Sequence, residues 1–347
     1  MRFRWWLLIA FAVFVGAFFT AILVGSVPIS LRDSFHMLLS KIPGLGSLAD
    51  TEGIPDVFQT ILFQLRLPRT LMALFAGVGL SAAGCIYQGV FSNPMADPYL
   101  LGVSSGAAFG ATLSVLLPFS GFVFWGIGTR NIFSFVGSLA VLAFVFLLAQ
   151  RKNAAHSLSL ILSGIAMNYF LSSMISLLMF FDRDKLEDIY FWTMGSFKNS
   201  SWTEVGVTAV ATSALFFVLF CHVRELNLIM MGEEQAKTMG VAVAKIKRRV
   251  LILSSLMVAV IVSSCGIVGF VGLIIPHAGR LLVGPDHKKL LPFSALSGAA
   301  FLILCDTLAR SLFTNVELSV GILTSLFGVP FFLLLLRKGK RSALEGG

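Results

Sequence analysis

The sequence predicts an all-α polytopic membrane protein with about ten transmembrane helices and both termini in the cytoplasm. Composition is the first reason. Of 347 residues, 57% are hydrophobic and only 12% charged, and mean hydropathy is +0.90, whereas soluble domains carry about 25% charged residues. The second reason is length: spanning a bilayer takes roughly 20 apolar residues, and runs of that size recur along the whole chain. The third is charge placement, because basic residues gather on alternate loops, as they do on the cytoplasmic side of membrane proteins. The 33 phenylalanines and 32 glycines fit the same class, supplying lipid-facing surface and close helix contacts.

The elements follow in order. Arg2 and Arg4 precede an apolar run, 5–27, too long for a signal-peptide core and without a clean cleavage site; it is a retained first helix. Further spans lie near 70–91, 99–118, 131–150, 158–181, 203–222, 290–313 and 318–336. The segment 250–284 is apolar throughout and too long for one comfortable span. A break at Ser263–Gly266 splits it and brings the count to ten. That count puts Arg151, Lys152, Arg224, Lys237, Lys245, Lys247, Arg248, Arg249, Arg280, Lys288 and Lys289 on the side of the basic tail. One helix over 250–284 would throw the basic loops to opposite sides. A single transmembrane domain, 1–347, is expected, with one ordered inner loop at 223–249.

Net charge is +9; the positive-inside bias accounts for it, and no nucleic-acid partner is expected. Cys85, Cys221, Cys265 and Cys305 lie in or beside apolar runs without metal or redox spacing, so they are expected to be small buried hydrophobes.

Three arginines break the charge rule. "RLPRT" puts Arg66 and Arg69 at the outer mouth of the second helix, and "DTLAR" puts Arg310 at the outer end of the ninth. They either snorkel, with Arg310 pairing Asp306 one turn earlier, or form a cationic rim for carboxylates of an external partner. In "SNPMADPYLLG", Asn93 and Asp97 each precede a proline and look like helix N-caps of an inner elbow. Gly102, Gly106 and Gly110 then form a small-residue ladder suited to helix packing. In the inner loop, Glu233 and Glu234 suit the positive end of a short helix that Gly240 can close. "FVGLIIPHAGRLL" ends the eighth helix, with Pro276 loosening its last turns and Arg280 anchoring it. His277 is a metal ligand, a proton relay or a polar hinge, and its sequence neighbours offer no second ligand. There is no phosphate loop. Asp306 is the sole clear acidic residue within a span, so an ion-coupled carrier has little to work with. No metal or catalytic constellation stands out.

The stretches "RLPRTLMALFAGVGLSAAGCIYQGVFSNPMADPYLLGVSSGA", "GIVGFVGLIIPHAGRLLVGPDHKKLLPFSALSGA", "DTLAR" and "ELSVGILTSLFGVPFFLLLLRK" together resemble permease subunits of ABC importers for iron–siderophore complexes, haem and cobalamin. The resemblance covers about residues 60–340. It implies a dimer of permeases around a central path, two cytoplasmic ATPases that hold ATP and Mg, and an extracytoplasmic binding protein. It matches Arg66, Arg69 and Arg310 to the arginines that receive binding-protein glutamates. It matches Glu233, Glu234 and Gly240 to the ATPase-docking loop, and Asn93 and Met95 to the inner gate. It leaves Pro276, His277 and Arg280 as a hinge or interface. "ELSVG" carries Ser319 where the family commonly has proline. No cofactor on this chain and no enzymatic activity are expected. A metal chelate in a bacterial plasma membrane is the expected cargo, with cobalamin or an oxyanion such as molybdate as alternatives. An ion-coupled secondary transporter is the reading from another class.

Overall fold

The computed structural model describes residues 2–25, 27, 29–41, 49–50, 53–117, 123–124, 126–149, 157–313 and 316–344. Arg151 and Lys152, assigned above to an inner loop, lie outside them.

Helix α1, Arg2–Leu23, is apolar on every side and mostly exposed. A short amphipathic α2, Leu31–Ser40, is capped by Ser30, whose hydroxyl accepts from the Asp33 N–H. Then α3, Asp56–Thr60, runs through a π-helical turn, Ile61–Arg66, into α4, Leu67–Val90. Pro68 explains the widened turn. It lacks the N–H that the Gln64 carbonyl would receive, and its ring crowds that carbonyl, so the helix loosens just before it. The result is one helical rod from Asp56 to Val90, longer than the 70–91 expected.

At the elbow, Asn93 does not start a helix: its side chain accepts from the Met95 N–H and closes a turn. Asp97 does act as a cap, accepting from the Tyr99 N–H at a 3₁₀ turn, Pro98–Leu101. Gly102, at φ +80°, redirects the chain, and α5 begins only at Val103, running to Leu116. A two-residue ribbon, β1 Val123–Phe124 against β2 Ile127–Gly128, is the one sheet among the described residues.

The remainder is helical: α6 Thr129–Ala149, α7 Ser157–Phe181, α8 Leu186–Thr193, α9 Trp202–Cys221, α10 Val223–Met230, α11 Glu233–Thr238, α12 Val243–Cys265, α13 Val271–Val283, α14 His287–Ser311 and α15 Val320–Leu344. Ser201 and Glu204 form a reciprocal capping box at the start of α9. Among the described residues, seven helices are long and apolar enough to cross a membrane, and three shorter apolar ones, Val103–Leu116, Val271–Val283 and Val320–Leu334, accompany them. The 250–284 segment does divide, but the break is Gly266–Phe270. Ser263 and Ser264 stay helical with their hydroxyls on the Val260 carbonyl. Phe270 takes φ +69°, unusual for a bulky residue, with its ring pressed against Gly328 of α15.

Helix α4 is the hub. Its apolar window is 78% buried, against 17% for α7, and it packs on α9, α12, α13 and α14. Small residues make that approach possible. Gly77 of α4 lies on the Gly298 carbonyl of α14, and Gly110 of α5 on the Phe133 carbonyl of α6, so the glycine ladder is a packing surface. Cys85, Cys265 and Cys305 are buried as expected; Cys221, at the end of α9, is exposed.

Because a Cβ at Gly77 would collide with backbone rather than a movable side chain, Gly77→Val should destabilise the bundle by more than the ~1–3 kcal/mol typical of overpacking. Gly16→Val, with nothing within 4 Å, should be nearly neutral. Thermal unfolding midpoints of the two variants in detergent compare them directly.

Candidate functional site

Polar side chains collect at the two ends of an otherwise apolar bundle. One end holds Arg66, Arg69, Asp306, Arg310 and Glu317. The chain places them there because α4 starts where antiparallel α14 finishes. Arg69 Nε donates to both Asp306 oxygens, at 3.0 and 2.9 Å, and Nη1 donates to Glu317 Oε2 at 3.0 Å. Arg66 Nη1 donates to the Ile22 and Leu23 carbonyls at 2.8 and 3.0 Å, and Nη2 to Val27. Arg310 reaches the Ala21 carbonyl. The Ala21, Ile22 and Leu23 oxygens lie at the C-terminus of α1, where carbonyls have no intrahelical partner and the helix dipole favours a cation, and Val27 follows just beyond it.

All three arginines are buried. They are not an open rim here, because each guanidinium has turned inward to satisfy carbonyls or carboxylates that lipid cannot. Asp306 does lie 4.0 Å from Arg310, but its close partner is Arg69, 237 residues away in sequence. Side-chain exposure is 9% for Arg69 and 3% for Asp306 but 31% for Glu317, so Glu317 is the part of the network that meets the surface. Sequence reading missed it, although it opens the quoted "ELSVG" motif. Ser319 immediately precedes α15, so the helix starts there without proline.

The other end holds the elbow, α13 and the α10–α11 loop. Pro276 cannot donate to the Gly272 carbonyl. Gln88 of α4 supplies the missing donor: its Nε2 lies 3.4 Å from the Gly272 oxygen and 3.0 Å from that of Leu273. Gln88 Oε1 accepts from Arg280 Nη2 at 3.3 Å, so one amide braces α13 on both sides of its proline. Arg280 is thus more than a charge anchor. His277 lies beside the Pro94 carbonyl of the elbow. The Tyr99 hydroxyl donates to the Val268 carbonyl at 2.9 Å, so the elbow is also fastened to the α12–α13 break. Asn93 is exposed and Met95 half-buried. Gln88 was visible as a polar residue in an apolar helix, but only its partners give it meaning.

In the loop, Glu233 and Glu234 occupy the first turn of α11. Glu233 pairs with Lys247 of α12, tying the loop down, while Glu234 pairs with Lys237 at 2.7 Å on the surface. Gly240, at φ +82°, ends α11 as expected. Its N–H bonds to the Lys237 carbonyl and that of Val241 to Ala236, the paired bonds of a Schellman closure. Met231 and Met239 bracket α11 and are 69% and 63% exposed. Neither was singled out in the sequence, since an isolated methionine carries no pattern.

Removing the Asp306 carboxylate would leave Arg69 and Arg310 as buried cations with less compensation. Asp306→Ala should therefore cost roughly 3–5 kcal/mol, measured as loss of folded protein on denaturant titration in mixed micelles. Reversing all three arginines to glutamate would break the same contacts, and would test folding before docking.

The chain is 41% identical over 84% of its length, and 77% of the other, to the cobalamin import system permease protein BtuC of Halobacterium salinarum. It is 39% identical to the molybdate import system permease protein MolB of Haemophilus influenzae, covering 94% of this chain and 96% of that one. It is 38% identical to the hemin transport system permease protein HmuU of Yersinia pestis, covering 81% and 84%. A solved structure described as a metal-chelate type ABC transporter in an inward-facing conformation superposes with a TM-score of 0.81 at 35% identity, covering 96% of this chain and 98% of that one. The model of the FecCD transport family matches residues 11–338. This multi-pass membrane chain belongs to the FecCD transport family.

Proposed function

We propose that the chain is the permease subunit of an ATP-binding-cassette importer that carries a metal chelate, a ferric siderophore or haem, into the cytoplasm by alternating access. The likeness to a metal-chelate type transporter over 96% of the chain is the observation that carries this reading. The seven long apolar helices and three shorter ones make ten spans of one permease domain, with both termini cytoplasmic and the arginine end outside. The arginine end receives carboxylates of an extracytoplasmic binding protein. Arg69 and Arg310 face Asp306 and Glu317 while Arg66 rests on carbonyls, which leaves a positive excess, with Glu317 at the mouth.

At the cytoplasmic end, two partner subunits hold ATP and Mg and dock on the 223–249 loop. Exposed Met231 and Met239 supply the apolar contact and Glu234 the charged one, while Glu233 and Gly240 keep the loop in shape. Asn93 and Met95 form the inner gate, and Pro276, His277 and Arg280 the hinge behind it. A second copy of the chain completes the path. The open groove of Thr193, Met194, Ile267, Gly269, Gly321 and Ser325 supplies a half-lining of small and apolar residues that offers a large cargo no deep trap. Cobalamin or molybdate remains the second reading, favoured by the 41% and 39% identities to permeases named for those substrates.

Proteoliposomes holding the chain, its ATPases and its binding protein should accumulate one of ferric siderophore, haemin, cobalamin or molybdate only with internal ATP and added binding protein. Gradient-driven uptake by the chain alone would establish a secondary transporter instead. The double variant Met231→Glu, Met239→Glu should fold normally, because both side chains are exposed, yet lose co-purifying ATPase.

A further inference from the structure

The geometry points to Asn227, Asp286 and His287 as the bracket that carries movement of the α10–α11 loop into the elbow; this rests on the reading that the loop receives the ATPases. Asn227 lies on α10, one helical turn before the exposed Met231 at its end, and is itself half-buried. Its Oδ1 accepts from the His287 N–H at 2.9 Å, and its Nδ2 donates to Asp286 Oδ1 at 2.7 Å. One amide therefore grips both the last loop residue before α14 and the first residue of the helix. The same Asp286 oxygen caps α14 through the Lys288 N–H at 3.0 Å, so the cap and the bracket are one structure.

The bracket fixes the imidazole as well. His287 Nδ1 lies 2.9 Å from Asn227 Oδ1, which can only accept, so Nδ1 carries the proton. The ring is fully buried and wedged against α4, where a Cβ at Gly89 would come within 2.5 Å of Nε2. Gly89 stands in the last turn of α4, and the gate residues Asn93 and Met95 follow directly. A displacement of α10 thus shifts the start of α14, and the imidazole passes it to the helix end from which the elbow hangs. Nothing soft lies between: each step is a hydrogen bond or a ring held in a glycine notch.

The test uses the complete transporter in proteoliposomes and reads uptake per ATP hydrolysed. Asn227→Asp sets two carboxylates face to face where an amide and a carboxylate now pair. It should lower uptake per ATP about tenfold, the scale of one lost charge-assisted hydrogen bond, with ATPases still bound at wild-type stoichiometry. Adding Asp286→Asn restores a donor opposite the new acceptor, and the double variant should recover uptake per ATP to near the wild-type ratio. Asp286→Asn alone, which keeps a capping oxygen, should have little effect. An unchanged ratio in Asn227→Asp, or no recovery in the double variant, would overturn the bracket. So would loss of the ATPases from Asn227→Asp, since the residue would then only support the loop. Retention of ATPases by the Met231→Glu, Met239→Glu variant would remove the docking reading itself, and the bracket with it.

Discussion

Backbone polar groups inside this bundle must find their partners within the protein, because the surrounding hydrocarbon offers none. That constraint shapes both ends. At one, the unpaired carbonyls at the end of α1 draw in Arg66 and Arg310, and Asp306 draws in Arg69. At the other, the carbonyl freed by Pro276 draws in Gln88, which in turn holds Arg280. The middle of α4 can then be almost featureless, with small residues that let its neighbours close around it.

The consequence is a division of labour along the helix axes. Between the ends, contact is made by glycine on backbone, as where Gly77 meets Gly298, and by buried aliphatic side chains. Such contacts are close but not directional, so helices held by them can shift together. The charged and amide contacts sit at the two ends, with a few hydroxyl bonds such as Tyr87–Ser255 and Ser138–Val103 between helices elsewhere. Helix α4 joins the two ends, since Arg69 stands in its first turn and Gln88 and Gly89 in its last. Asp286 adds a solvent-side fixture to the second end. Partial burial pushes its carboxyl up, but the Lys288 N–H and the Asn227 amide outweigh that and hold it below the usual range, so it is charged at neutral pH.

Much of this was legible in the sequence, for identifiable reasons. Apolar run length and the positive-inside bias report on the solvent around each segment, so most of the apolar helices were found within a few residues and 250–284 was divided, while the Asp56–Val90 rod and the end of α15 ran well past their expected bounds. Gly240 and Asp97 were legible because a helix end has local chemistry. Boundaries failed where local chemistry was ambiguous. Asn93 has the residue type of a cap but closes a turn, and Ser263 and Ser264, although polar, remain helical by bonding back to Val260. The arginines drew notice as charges beside apolar runs, but their orientation was not legible. Nothing local to "RLPRT" indicates that α1 ends beside it with carbonyls to spare.

The sequence by itself determined the class of the molecule, the order of its helices and the family to which its motifs belong, because these depend on hydropathy and on residues close together in the chain. Only the tertiary structure decided who partners whom. Arg69 with Asp306, Gln88 with the break at Pro276, and Asn227 with Asp286 and His287 each join segments far apart in sequence. A polar residue in an apolar helix announces that it needs a partner. Which one it finds depends on helix packing, because that alone brings distant donors and acceptors within reach.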